Sequence, residues 1–167
     1  MAIVKSKWIL YVGIPLLVVF ILYIIGRKSV HAEIIIKASS SEIWSVLMDK
    51  SAYSDWNSVL IPIQGELIEG TTVEYEFYQD ESSISVIPSR VYKIEKNMLL
   101  NQGGGIPGIL TYNHKYILEN ADDGTKVIIH EDYRGVGVPF WNSASVQKAY
   151  ERLCEDLKAR VDNVKKE

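Results

Sequence analysis

The chain has a single cysteine, Cys154, among 167 residues. No internal disulfide can form and no cysteine-based zinc site is available, so the redox compartment goes unmarked. His31 and His130 have no partners at ligand spacing, and no metal and no cofactor is expected. Asn-x-Ser/Thr acceptors are absent, which leaves glycosylation silent on sidedness. There is no Gly-x-Ser-x-Gly elbow, and Cys154 lacks an adjacent base, so nucleophilic catalysis has no support. The glycine-rich stretch Gly103 to Gly108 has neither the lysine nor the strand-to-helix setting of a phosphate loop, and reads as a flexible connection. Positive charge is scarce too. The first 32 residues hold Lys5, Lys7, Arg27 and Lys28 and no acid, leaving 14 basic against 21 acidic residues in the remainder, a net charge near −7. That balance excludes nucleic acid as a partner, because neutralising phosphates needs a basic stripe. No feature specifies a protein partner.

What is present begins with an apolar run. Trp8 to Gly26 contains no charge, and at about 1.5 Å per residue a continuous helix over it would cover roughly 28 Å, close to a bilayer's hydrocarbon thickness. The expectation is an N-terminal single-pass membrane helix over about residues 8–26, within an anchor of residues 1–29, and a membrane localisation. A cleavable signal is the weaker reading, because the run is long and Arg27 and Lys28 precede the small-residue site at Val30-His31-Ala32. Lys5 and Lys7 on one side nearly balance Arg27 and Lys28 on the other. The amino end is placed inside by a narrow margin.

Residues 30–167 are the size of one domain. Val30 to Lys37 is apolar and β-branched and predicts a strand. Ser39 with Glu42 forms a capping-box pattern ahead of a short helix to about Asp49, followed by a second short segment, Ser51 to Trp56. Strands are predicted over Ile61–Glu69, Thr72–Tyr78, Ile84–Glu95 with a bulge at Pro88, Met98–Gln102, Ile109–Asn120 and Thr125–Val136. Ala121-Asp122-Asp123-Gly124 supplies the last turn. A helix from about Asn142 to Val164 carries Val146, Ala149, Tyr150, Leu153, Leu157 and Val161 on one stripe. The order predicts an α+β fold with helices on one face of a curved antiparallel sheet.

Ile34 through Trp44, then Tyr53, Trp56 and Asn57, resemble the opening of the SRPBCC superfamily, which includes START, birch-pollen-allergen-like and polyketide-cyclase-like helix-grip domains. His114 to Leu118 and Thr125 to Gly135 resemble its two late strands. The likeness covers roughly residues 30–165. It departs from the pattern at Ser58 and Ser40, where proline is common, and in the added apolar segment. The resemblance implies about seven antiparallel strands wrapped around the terminal helix, with a cavity for lipids, sterols, polyketides or similar apolar molecules. It implies no reaction, since fold does not settle function.

Alternation places Leu110, Tyr112, His114, Tyr116 and Leu118 on one face of one late strand and Val127, Ile129, Glu131 and Tyr133 on one face of the next. A turn centred near Asp122 and Asp123 sets Glu131 opposite His114, with Cβ atoms roughly 4.5–5.5 Å apart. Such a pair suits general acid–base work, for instance enolisation in a cyclase or isomerase. The plainer reading is a satisfied buried pair that fixes register or orients a ligand head group. Tyr75, Tyr92, Tyr112, Tyr116 and Tyr133 would add hydroxyls to an apolar wall that includes Phe77. Arg90 would meet a ligand carboxylate if it shares the inward face, or solvent if a bulge turns it. Trp56 is a candidate wall residue, although core packing also accounts for it. The leading expectation is a membrane-tethered domain binding a hydrophobic small molecule, lipid or polyketide/isoprenoid-like. The alternatives are a cyclase- or isomerase-like enzyme using His114 and Glu131, and an interaction module with a filled core.

Overall fold

The computed structural model describes residues 9–80 and 83–165. A π-helical turn at Ile9–Gly13 leads into α1 (Ile14–Ile25). The regular helix starts at Ile14 with Pro15 in its first turn, where the ring's missing N–H is tolerated although it would break an uninterrupted helical ladder. Gly26 ends it. A Cβ there would lie 2.0 Å from the Gly135 carbonyl oxygen, and the Gly135 N–H donates to Gly26 O at 3.0 Å. The chain thus passes directly from α1 into the first strand.

This corrects the expected membrane span. The 12 residues of α1 cover only about 18 Å at the helical rise, and no helix among the described residues is long and apolar enough to cross a membrane. The apolar run is long as sequence, but Ile9–Gly13 is a π-helical turn and regular helix occupies only Ile14–Ile25, with Pro15 at the junction and Trp8 outside the described residues. The side chains of α1 are exposed nearly throughout.

After β1 (Arg27–Ile36) come α2 (Ser40–Met48), a short 3-10 turn and α3 (Tyr53–Trp56). Ser39 caps α2 as expected: its hydroxyl accepts from the Glu42 N–H while the Glu42 carboxylate accepts from the Ser39 N–H. The remaining strands are β2 (Leu60–Gln64), β3 (Thr72–Tyr78), β4 (Ile84–Glu95), β5 (Leu99–Ile106), β6 (Leu110–Ala121) and β7 (Gly124–Arg134). The terminal helix α4 spans Ala144–Val164. The seven strands form one antiparallel sheet in the order β1-β7-β6-β5-β4-β3-β2.

The sheet curls around α4. Val146, Ala149, Tyr150, Leu153, Cys154, Leu157 and Val161 form its buried stripe, packed with Val30, Ile36, Val73, Val91, Leu100, Tyr116, Val127 and Ile129 from the strands. Each aliphatic side chain fully removed from water contributes about 1.5–3 kcal/mol. The α+β helix-grip architecture therefore follows from the inward stripe and the strand alternation.

Two strand predictions are corrected. Gly103–Ile106 is strand, not loop: Gly103, Gly104 and Gly105 pair with Asn113, Tyr112 and Thr111. The glycines are needed where aromatic rings cross the strand. A Cβ at Gly104 would lie 2.9 Å from the Tyr112 hydroxyl, and one at Gly103 would lie 2.7 Å from the Tyr92 ring. The register shift in β4 falls between Val91 and Lys93 rather than at Pro88. β4 pairs with β5 only as far as Arg90↔Gly103, so Pro88 lies beyond the end of that ladder and owes β5 no donor.

Candidate functional site

An outer cavity of about 450 Å³ lies between the sheet and the N-terminal half of α4, within the size range of small-molecule sites. Phe77, Ile87, Pro88, Ile106, Ile109, Leu110 and Trp141 make it apolar, while Tyr112, Tyr133, Tyr150 and Glu131 bring polar groups to one wall. Behind it lies an inner chamber of about 20 Å³, lined by residues that include Tyr53, Tyr75, Gln102, His114 and Tyr116. Ile87, Tyr112, Glu131 and Tyr150 line both spaces and so form the partition. The Tyr112 hydroxyl, crossing over Gly104, donates to Pro88 O at 2.8 Å and ties β6 to β4 across β5.

His114 and Glu131 are direct ladder partners, the register expected from the turn. Both are buried, at 3% and 4% exposure. His114 Nδ1 lies 2.8 Å from Glu131 Oε2 and 3.2 Å from the Tyr150 hydroxyl, and that hydroxyl in turn donates to Glu131 Oε2. A carboxylate that can only accept fixes the imidazole proton on Nδ1. His114 Nε2, on the opposite side of the ring, has no hydrogen-bond partner among the described residues, and neither has the Tyr116 hydroxyl. Next to them the Tyr75 hydroxyl donates to Gln102 Oε1 at 2.8 Å, with Gln102 itself paired to His114 across the ladder.

Burial sets the protonation of the phenols. It pushes Tyr112 up to about 12. Burial, then the neighbouring Glu131 carboxylate, raises Tyr133 and Tyr150 well above the ordinary phenol range. Tyr75 and Tyr116 are raised chiefly by burial. All are neutral hydroxyls at neutral pH. The site therefore offers an apolar body, several neutral donors and one carboxylate held by an imidazole and a phenol.

The structure brings seven of the expected residues to these spaces: Phe77 and Tyr133 to the outer cavity, Tyr75, His114 and Tyr116 to the inner chamber, and Tyr112 and Glu131 to both. Three lie elsewhere. With no register shift at Pro88, the alternation from Ile84 carries Arg90 to the outer sheet face, where it is exposed. Tyr92 is 47% exposed and borders a polar groove on that outer face with Thr111, Asn113, Lys115, Asp132 and Arg134. Trp56 stacks on Tyr53 with ring centroids 5.0 Å apart and borders a surface groove beside Ser45 and Arg160. Tyr150 and Gln102 were missed as site residues. Tyr150 is on the predicted inward stripe but counts there only as core, although its hydroxyl needs a buried partner; Gln102 stands at the predicted end of a strand that in fact continues to Ile106. Among the described residues no cluster could hold a metal ion.

Comparison with solved structures identifies the fold. The Zhui aromatase/cyclase from Streptomyces sp. R1128 superposes with a TM-score of 0.64 at 14% identity, covering 82% of this chain and 94% of that one. Ara h 8.0201 gives 0.61 at 13% identity over 82% and 99%. A Staphylococcus aureus protein of unknown function gives 0.63 at 13% identity over 84% and 97%. At these identities the likeness establishes a shared helix-grip fold. No family model and no curated protein matches the sequence.

Proposed function

We propose that the protein binds a hydrophobic small molecule, lipid-like or polyketide/isoprenoid-like, in the cavity between the sheet and α4. The observation that carries this reading is the outer cavity itself: about 450 Å³, apolar on most of its wall and polar where it meets Glu131 and Tyr150. A few placed polar groups in an apolar cleft are what orient a small ligand. The same space weighs against an interaction module with a filled core. The test is mass spectrometry of organic extracts from the purified full-length chain, joined to thermal-shift measurements with lipid and polyphenol panels. A ligand that binds only the native state must raise apparent stability. Recovery of a bound hydrophobe, and loss of its stabilising effect in Ile87→Trp, is expected; an empty protein unmoved by every panel member overturns the reading.

A second reading, a cyclase- or isomerase-like enzyme, is favoured by one observation: Glu131 is hydrogen-bonded to His114 Nδ1 while the buried Nε2 has no hydrogen-bond partner among the described residues. A base so oriented fits proton abstraction next to a carbonyl. Its test is separation of the two activities. His114→Ala should abolish turnover while leaving ligand binding measurable; equal loss of both favours the carrier.

A further inference from the structure

The inner chamber differs in kind from the outer cavity. Its volume of about 20 Å³ holds one water-sized group and no ring or chain. Two deeply buried side chains on its wall have unused hydrogen-bonding capacity among the described residues: His114 at Nε2 and Tyr116, 1% exposed, at its hydroxyl. The two stand on one face of β6, two residues apart, with ring centroids 4.7 Å apart in an edge-to-face arrangement. Their capacities are complementary. In the neutral imidazole, with Nδ1–H committed to Glu131, Nε2 accepts, whereas the phenol of Tyr116 can donate. An atom that donates to one and accepts from the other is a hydroxyl oxygen. A ketone or ether oxygen has no proton for Nε2, and an ether carries a carbon that a chamber of this size cannot take.

We propose that the inner chamber is a recognition subsite for a single ligand hydroxyl, received by His114 Nε2 and Tyr116 while the ligand's hydrophobic body fills the outer cavity. This rests on the pocket reading above and narrows it to hydrophobic alcohols and phenols. Ile87, Tyr112, Glu131 and Tyr150 line both spaces, so a ligand hydroxyl enters past the partition that they form. Glu131 and Tyr150 act here as positioning residues, holding the imidazole with Nε2 inward.

The experiment compares two matched pairs by competition against a fluorescent hydrophobic probe: octanol with octyl methyl ether, and naphthol with methoxynaphthalene. In the full-length chain the hydroxyl member of at least one pair should bind about tenfold tighter, the worth of one or two net hydrogen bonds. Tyr116→Phe leaves the Glu131–His114–Tyr150 cluster intact and should cut that preference about fivefold, with ether affinity unchanged. His114→Phe, checked for folding by circular dichroism, should abolish it. If the ethers bind as tightly as the alcohols, or if the preference survives both substitutions, the hydroxyl subsite is overturned while the pocket stands. If none of the four compounds binds, the pocket reading falls with it.

Discussion

Tyr150 on α4 donates its hydroxyl to Glu131 on β7, so the helix and the sheet that wraps it are joined by a charged hydrogen bond at the partition between the two cavities. Hydrogen bonds to a buried charged group are worth more than neutral ones, about 1.5–3 kcal/mol. Tyr150→Phe keeps the ring but removes that donor, and should lower unfolding free energy by about 2 kcal/mol in urea titrations. Glu131→Ala should cost more, about 3 kcal/mol, because it leaves both the Tyr150 hydroxyl and His114 Nδ1 buried without their acceptor. Equal stability of the wild type and Tyr150→Phe would mean the contact has no mechanical role.

Gly104 is predicted to tolerate no side chain. An added Cβ would stand 2.4 Å from Pro88 O and 2.9 Å from the Tyr112 hydroxyl, the two atoms whose 2.8 Å hydrogen bond joins β6 to β4 across β5. Gly104→Ala must push the phenol off Pro88 O, and overpacking of this kind costs about 1–3 kcal/mol. Ligand binding should weaken in parallel, since Tyr112 lines both spaces. A Gly104→Ala protein of unchanged melting temperature and unchanged affinity would refute the role given to Tyr112.

How far these features could be read from the sequence depends on how local their causes are. The Ser39–Glu42 capping box is a contact across three residues and was legible as a pattern. The His114–Glu131 pair was legible because a two-residue turn fixes the register of a hairpin, and alternation then fixes the faces. Gly103–Gly105 was not, because the need for glycine comes from Tyr92 and Tyr112 lying over the strand, which no local pattern encodes. Arg90 and Tyr92 illustrate the same limit: alternation puts them on the face of Ile84 and Val86, and only the docking of the sheet on α4 shows that this face is the outer one. For the first helix, counting apolar residues ignored that Pro15 sets where regular helix begins. Tyr150 needed the docking of α4 on the sheet before its hydroxyl could be given a partner.

Leu153 sits fully buried at the middle of the α4 stripe. Leu153→Ala removes apolar contacts and leaves a void that the surrounding strands cannot close, for which about 2–5 kcal/mol is the usual cost. Denaturant midpoints should fall accordingly, with the slope of the transition unchanged. A loss under 1 kcal/mol would show that α4 is loosely held, contrary to its place at the centre of the core.

The buried thiol of Cys154 is expected to be inert. Burial raises it to about 12, with Glu155 and Glu151 adding to the shift. At pH 8 the native protein therefore holds almost no thiolate, the form that reacts. Thiol reagents should label the native chain slowly, at a rate governed by opening of the fold, and label it promptly in denaturant. Prompt labelling under native conditions would place Cys154 outside the core.

Above pH 10 the fold should weaken as its buried phenols come under strain to ionise. An unfolded tyrosine ionises near 10; Tyr112 in the fold does so at about 12, and Tyr75, Tyr133 and Tyr150 are raised as well. The folded state thus holds more protons than the unfolded state in this range. The stability these phenols contribute is fully present below pH 10 and falls as pH rises toward the folded values. Each such phenol adds a slope of at most about 1.4 kcal/mol per pH unit. Urea titrations at pH 8, 10 and 11 should show that decline, and the phenolate absorbance of the buried group should appear only with unfolding. Substituting Tyr112 with Phe should flatten the decline, because that phenol no longer differs between the two states; an unchanged pH profile in Tyr112→Phe would remove Tyr112 from the set of buried phenols that lock the pocket wall.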